Sequence, residues 1–443
     1  MDVKTLSKLI QENGVVGAGG AGFPTYVKID ERADIILLNC AECEPLLKLH
    51  RQLLRKYAYE IIKTFQVIAD VVNASQAIIG IKKEYKETVQ ALKQYIGNFP
   101  KVSLKLLDNV YPMGDEIVLI YEAVGKVVRP GGLPIEEGVA VFNVETVYNI
   151  YQAIEKKHPV VDKVVSVVGE VSHPVTMRVP LGCTIEESVT LAGDITTKEA
   201  VYLTGGSMMG TIKDGKEPVT KTTNAILVLP KDHILIRIKN RNPALNIKRA
   251  ASVCCQCEMC SDLCPRNALG HPVEPHKFMR AASHKDFRDT HVFINTLFCS
   301  SCGICEMYAC PQGLSPRTLM ADYKNGLRKA GVQVPKDRQA DLVKVSRAYR
   351  KVPEERLKAR LGLLDYDKDA PLDEHRVSVN QVKILLNQHI GVPAESIVKE
   401  GDIVESGQMI AKPGSGLSVA IHASISGKVI EMNKSYIMIQ KVR

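Results

Sequence analysis

The sequence predicts a multidomain α/β protein, and three observations carry the prediction. The chain has 443 residues, more than the roughly 250–300 that one hydrophobic core usually supports. Strand-like apolar runs alternate with helix-period stretches in the N-terminal third, which favours a largely parallel sheet. Eight of the twelve cysteines then fall in two tight runs, and the tail reads as short strands between glycines.

Composition narrows the class. Apolar residues make up 45% and charged residues 24%, ordinary for a globular protein. No apolar run reaches the ~18 residues of a membrane span. Met1 to Asn13 carries Asp2, Lys4, Lys8 and Glu12 without an apolar core, so no secretory signal is expected. Clustered cysteines without export point to a reducing cytoplasm. The net charge is 58 − 49 = +9, but aromatic content is 5% and Trp is absent. With the charges spread and no stacking platform, nucleic acid is not the expected partner. A solvated surface with a pocket for anionic cofactors is.

The elements follow in order. In residues 1–160, Ile35–Leu38 and Ala77–Ile81 read as buried strands, and Leu53–Val72 as a helix between them. In 161–235, Val164–Gly169, Val179–Gly182 and Val201–Leu203 read as short strands, with one helix over Ile185–Ala192. A small β-rich unit with one helix fits a β-grasp module. Residues 240–325 hold the cysteines among short helices, as in a ferredoxin-like dicluster domain. Residues 326–378, rich in Lys, Arg and Asp with Pro335, Pro353 and Pro371, read as an extended or partly helical connector. In 379–443, Val398–Gln408 and Ala423–Val429 read as the two halves of a biotinyl/lipoyl-type barrel sandwich. Lys412 sits near the expected hairpin but precedes Pro413-Gly414, so an interaction domain is expected there, not a modified carrier.

The cysteine runs are the strongest chemical signal. Cys254, Cys257, Cys260 and Cys264-Pro265 are spaced C-x2-C-x2-C-x3-C-P; Cys299, Cys302, Cys305 and Cys310-Pro311 are spaced C-x2-C-x2-C-x4-C-P. This is the bacterial pattern for two 4Fe-4S clusters, in which the fourth cysteine of each run usually ligates the other cluster. By that analogy Cys254, Cys257, Cys260 and Cys310 hold one cluster, and Cys264, Cys299, Cys302 and Cys305 the other. Zinc sites more often show two C-x2-C pairs with a long gap. The second run has one extra residue before Cys310, and Cys255 is a spare thiol inside the first.

The second signal is Gly14-Val15-Val16-Gly17-Ala18-Gly19-Gly20-Ala21-Gly22-Phe23-Pro24-Thr25. Glycines let backbone N–H groups approach a phosphate closely. Gly17, Gly19 and Gly22 satisfy G-x-G-x-x-G with Glu42 about twenty residues on, the spacing of a dinucleotide fold. No strand precedes the loop, however, and Phe23-Pro24 interrupts the helix that should follow. The longer string through Lys28 resembles the FMN-binding loop of the respiratory complex I flavoprotein subunit and of the RnfC family. Asn39-Cys40-Ala41-Glu42-Cys43-Glu44-Pro45, Gly114-Asp115-Glu116 and Asn143-Val144-Glu145-Thr146 match further segments of those families. The resemblance implies that Gly17, Gly19, Gly20, Gly22, Phe23, Thr25, Lys28, Asn39, Gly114 and Asn143 contact FMN. It places Glu42 and Glu116 on the nicotinamide side as the candidate catalytic acids. Structural acids at helix N-termini are the alternative for Glu42 and Glu145. Cys43 is expected to be a packed thiol, and Cys40 and Cys183 receive no role.

The module order is more specific. Val168–Val171, Pro180–Gly182 and Gly205–Gly210 resemble the soluble-ligand-binding β-grasp (SLBB) domain of these proteins. RnfC carries its barrel sandwich before the flavin loop; here it comes last. That order resembles the PduS family of cobalamin reductases of propanediol-utilising bacterial microcompartments. The resemblance implies NADH as donor, FMN, two 4Fe-4S clusters, and cobalamin as substrate, with the β-grasp module as candidate corrin site or as a spacer. It also implies a cytoplasmic place inside a microcompartment, beside a shell protein or an adenosyltransferase. Two alternatives stay open: an RnfC-like subunit feeding another reductase or protein partner, and a docking relay that turns over only with its partner.

Overall fold

In the computed structural model, residues 1–375 and 377–442 are described. Helix α1 (Val3–Glu12) precedes the glycine loop and packs Leu6 and Ile10 inward. Strands β1 (Ile35–Cys40), β2 (Gln76–Lys82) and β3 (Val102–Leu107) are parallel, and β5 (Val139–Asn143) joins β1 on its other side, also parallel. The two-residue β4 (Val110–Tyr111) lies outside this sheet. The order β3-β2-β1-β5 makes the chain reverse direction between β1 and β5. In open α/β sheets, ligands bind where that reversal parts the loops at the carboxyl ends of the strands.

Both faces of the sheet are covered, which is why its strands read as continuous apolar runs. Ile36, Leu38 and Cys40 face α1, α2 (Leu49–Lys56), α3 (Ala58–Val71) and α6 (Val144–Glu155); Ile35 and Leu37 face α5 (Glu116–Val124). The single helix expected over Leu53–Val72 is broken at Tyr57. The Tyr57 hydroxyl donates to Glu374 at 2.5 Å and its ring lies 4.6 Å from that of Tyr148. Helix α4 (Lys86–Tyr95) completes this layer.

The second sheet contains β6 (Asp162–Gly169), β7 (Val175–Pro180), β8 (Ala200–Thr204), β9 (Thr211–Lys213) and β10 (Ala225–Pro230), with α7 (Ile185–Thr190) after the first hairpin. Its order is β7-β6-β10-β8-β9, the first and last long strands parallel and the others antiparallel. This is β-grasp topology. Alternate residues serve different neighbours, as strand pleating requires. Val165, Val167, Ile226 and Val228 share a core with Val382, Ile384, Ile410, Val429 and Ile437 of the tail. Val164, Val168, Leu227 and Leu229 share another with Ile304 and Met307 of the cysteine region and Leu357 and Leu361 beyond it. Both faces of this sheet are therefore covered.

The stretch 326–378 is more than a connector. Val352–Pro353 pairs with β4, and Leu372–Asp373 extends the β-grasp sheet beside β7. The tail forms a four-stranded and a three-stranded sheet. Lys412 closes the strand Met409–Lys412 and pairs with Glu395 at 3.2 Å. Among the described residues no helix is long and apolar enough to cross a membrane.

One buried ion pair joins the first two sheets. Glu145, at the start of α6, accepts from the Val164 amide at 3.0 Å and pairs with Lys163; both side chains are almost fully buried. Removing one partner leaves an uncompensated buried charge, costing about 3–5 kcal/mol. Glu145→Ala should therefore lower the unfolding midpoint sharply, while Glu145→Leu with Lys163→Met should recover most of the loss. Calorimetry of the wild type and the two variants checks this; equal loss in the single and double variants would contradict it.

Candidate functional site: a glycine loop and two cysteine cavities

The glycine loop closes over the carboxyl end of β5. Gly17 donates to the Phe23 carbonyl at 2.9 Å, and Ala18 donates to Thr146 Oγ1 at 3.0 Å, while that hydroxyl donates to the Val16 carbonyl at 3.2 Å. The loop is thus tied to the first turn of α6. Asn143 caps that helix, its Oδ1 accepting from the Glu145 and Thr146 amides. Gly19 lies directly above: a Cβ there would sit 2.3 Å from Asn143 Nδ2. Gly19, Gly20 and Ala21 are exposed. Among the described residues their N–H groups donate to no protein acceptor. Free amides at a helix N-terminus suit a phosphate.

The other expected residues gather around the same rim. Lys28 Nζ donates to Glu116 Oε1 at 3.1 Å and to the Val141 carbonyl at 2.8 Å, and lies 5.9 Å from the centre of the Phe23 ring. Asn39 Nδ2 donates to the Gly114 carbonyl at 3.0 Å. Gly114 passes so close to the Ala41 carbonyl that a Cβ would lie 2.5 Å from it. Thr25 is buried with its Oγ1 lacking a protein partner. Free loop amides, a lysine on the rim and an orphaned hydroxyl fit a flavin mononucleotide.

Glu42 sits as the alternative given above has it, at a helix N-terminus. It is turned inward, with Oε1 accepting from the His50 amide at 2.9 Å and Oε2 from the Arg51 amide at 3.1 Å. It caps the start of α2. Burial holds the neighbouring His50 below the usual imidazole range, and Asn143 Nδ2 lies 3.2 Å from its Nε2. Glu116 remains at the rim, its side chain 42% exposed.

The cysteines line two cavities. One is walled by Cys264, Cys299, Cys302 and Cys305 with Arg266 and Arg317. The other is walled by Cys254, Cys257, Cys260 and Cys310, with Cys255 beside them. Each cavity takes three cysteines from one run and one from the other. Among the described residues, no three His, Cys, Asp or Glu side chains converge as ligands of a single metal ion would. Thiols spread around a wall suit a cluster several ångströms across. Burial first, then repulsion from Cys310, Cys254 and Cys257, pushes the Cys260 thiol up to about 12. Four cysteines gathered around one wall ionise together as ligands of positive metal centres.

The cavities differ in depth. Cys264 and Cys305 are buried, whereas Cys257 and Cys255 are exposed. The deeper cavity adjoins the flavin rim. Asp115 caps α5 by accepting from the Ile117 and Val118 amides, and it also receives two hydrogen bonds from Arg266 Nη2, at 2.9 and 2.8 Å. Arg266 follows Cys264 by two residues. Tyr111 donates to the Cys302 carbonyl at 2.6 Å, and Glu44 accepts from the Met208 and Met209 amides at 2.8 Å each. Sequence reasoning passed over Tyr111, Arg266 and Glu44 as functional residues. Only Asp115 and Glu44 lay within recognised motifs. Cys40 is buried and Cys43 half-buried; burial pushes Cys43 up to about 12 and holds Cys40 well above the usual thiol range.

Family models match three parts of the chain: the Nuo51 FMN-binding domain over residues 10–152, the 4Fe-4S dicluster domain over 253–315, and the RnfC barrel sandwich hybrid domain over 366–442. The chain is 38% identical to the cobalamin reductase PduS of Citrobacter freundii over 442 residues, 99% of this chain and 97% of that one. It is 39% identical to the cobalamin reductase PduS of Salmonella typhimurium, over 97% and 95% of the two chains. It is 32% identical to one component of the ion-translocating oxidoreductase complex of Vibrio cholerae, over 62% of this chain and 34% of that protein. With near full-length likeness to two of its members, the chain belongs to the PduS family of cobalamin reductases.

Proposed function

We propose that the chain is an NADH-dependent cobalamin reductase that gathers electrons at the carboxyl edge of the parallel sheet and delivers them at the exposed cysteine cavity. The observation that carries the reading is the sequence of adjoining sites: glycine loop, Asp115–Arg266 pair, buried cavity, exposed cavity. The names of the full-length relatives support cobalamin as the acceptor. A bound flavin accepts two electrons from a nicotinamide and releases them singly, and iron–sulfur clusters carry one at a time. NADH yields two electrons and one proton, enough for two one-electron reductions of cobalt.

The chain's own residues have distinct tasks in this reading. The Gly19–Ala21 amides and the α6 N-terminus hold the phosphate. Lys28, fixed by Glu116 and the Val141 carbonyl, places a positive charge beside the ring system. Asn39 and Asn143, neighbours at the paired ends of β1 and β5, hold the Gly114 turn and the α6 N-terminus in place beside it. Glu116 is the acid at the nicotinamide side, and Glu42 anchors the start of α2. Cys264, Cys299, Cys302 and Cys305 hold the cluster nearer the flavin, and Cys254, Cys257, Cys260 and Cys310 the outer one. A place inside a propanediol-utilisation microcompartment, beside a shell protein or an adenosyltransferase, belongs to the same proposal.

The direct test is anaerobic NADH oxidation by the reconstituted protein with cobalamin as sole acceptor. Cobalamin reduction that depends on FMN is expected. Bleaching of flavin and clusters without cobalamin reduction would move the acceptor to a protein. Gly19→Val forces a side chain against Asn143, which cannot yield without uncapping α6. A loss of bound flavin of about tenfold or more is expected, read from absorbance and fluorescence; full flavin content would contradict the loop assignment.

The cross-pairing of cysteines has its own test. Cys264→Ala and Cys299→Ala should each lower iron content to about half, and the double variant should lose no more. Cys264→Ala with Cys254→Ala should lose nearly all of it. Iron analysis and low-temperature EPR decide; additive loss in the Cys264/Cys299 double variant would refute the pairing.

A further inference from the structure

An open hollow lies beside the exposed cysteine cavity. Helices Ile234–Lys239 and Pro243–Val253 meet at a bend, where Ile234, Arg237, Ile238, Arg241 and Arg249 line a space of about 800 Å³ that opens to solvent. The hollow touches the cavity from two directions. Arg241 donates to the Gly313 carbonyl at 2.5 Å, and Gly313 donates to the Cys310 carbonyl at 3.2 Å. The second helix, which carries Arg249, ends at Cys254.

The charge of the hollow is uncompensated. Arg178 and Arg266 each pair with an aspartate. Among the described residues, by contrast, Arg237, Arg241 and Arg249 form no ion pair, and no carboxylate lines the hollow. Burial and then repulsion from Arg249 hold the Arg241 guanidinium below its usual range. Three like charges facing one space are stable with an anion among them. Beside them lie two isoleucines, Ile234, 49% exposed, and Ile238. The matching ligand is therefore anionic where it meets the arginines and carries an apolar edge for the isoleucines.

We infer that this hollow is the corrinoid site, with the arginines on the phosphodiester of cobalamin and Ile234 and Ile238 against an edge of the corrin. The inference rests on the reading of the chain as a cobalamin reductase. Cobalamin carries one phosphodiester and a large ring edged with methyl groups. The location puts the acceptor beside the more exposed cavity, where a one-electron route must end.

The test compares cobalamin with cobinamide, which has the corrin but lacks the phosphodiester and nucleotide. Binding to the reconstituted protein is measured by equilibrium dialysis for the wild type and for Arg237→Gln/Arg249→Gln. Both arginines are exposed and hold no other residue in place, and unchanged cluster EPR spectra establish that the variant is intact. The wild type should bind cobalamin about tenfold or more tightly than cobinamide. The variant should lose that preference while keeping its affinity for cobinamide, and millimolar inorganic phosphate should displace cobalamin from the wild type. Should the variant reduce and bind cobalamin as the wild type does, the site is elsewhere and the reductase reading stands. A wild type that neither binds nor reduces cobalamin overturns both. If the variant loses only electron transfer to an acidic ferredoxin, the hollow is a protein-docking face and the corrinoid assignment falls.

Discussion

The ion pair between Asp115 and Arg266 is the interaction on which the arrangement of the site depends. Asp115 caps the helix that begins at Glu116, beside Lys28, and Arg266 lies two residues beyond Cys264. The pair therefore sets the flavin rim against the deeper cysteine cavity. Both side chains are nearly buried, Arg266 at 12% and Asp115 at 11% exposure. A partly buried pair of this kind is weak evidence for stability but fixes geometry, since neither charge has an equally good alternative. Tyr111, which donates to the Cys302 carbonyl, and Glu44, which accepts from the Met208 and Met209 amides, hold the same junction from its other sides.

The β-grasp sheet supplies the rigidity behind that junction. Its strands alternate between a core shared with the barrel sandwich and a core shared with the cysteine region. A sheet used on both faces does not shift toward one neighbour without opening the other, because interiors are close-packed. The tail reaches further still. Lys221, buried in the loop before β10, donates to the Gly14 carbonyl at 2.6 Å and the Ala420 carbonyl at 3.2 Å, joining three parts of the chain at the base of the glycine loop. With no carboxylate beside it, burial lowers its amine to about 7. The barrel sandwich thus serves as a support for the flavin loop. Gly22, whose φ is +73°, has no room for a side chain between Thr222 and His389.

The local parts of this structure were legible from sequence. Ligand spacing is a short-range constraint, so the cysteine runs announced their chemistry. The glycine loop, the strands at Ile35 and Ala77 and the helix at Ile185 likewise follow from local pattern. What was hidden depends on partners far along the chain. The break at Tyr57 is made with Glu374, Asp115 meets Arg266 across 151 positions, and Glu145 meets Lys163 through a fold-level contact. Glu42 shows the limit most clearly. A motif places an acid in a segment, but the direction it faces is decided by which amides are unsatisfied, here those of His50 and Arg51 at the start of α2. The hollow at Arg237 and Arg249 carried no motif, because its residues come from two short helices whose angle the sequence does not state.

The central claim is serial order: flavin rim, buried cavity, exposed cavity, acceptor. Rapid-freeze EPR after a single anaerobic addition of NADH to two cysteine variants tests it most directly. With Cys302→Ala, which removes the buried cluster, the outer cluster should stay oxidised on the timescale of wild-type turnover. With Cys257→Ala, which removes the outer cluster, the buried one should still be reduced while cobalamin is not. Rapid reduction of the outer cluster in the Cys302→Ala protein would contradict the order and the account built on it.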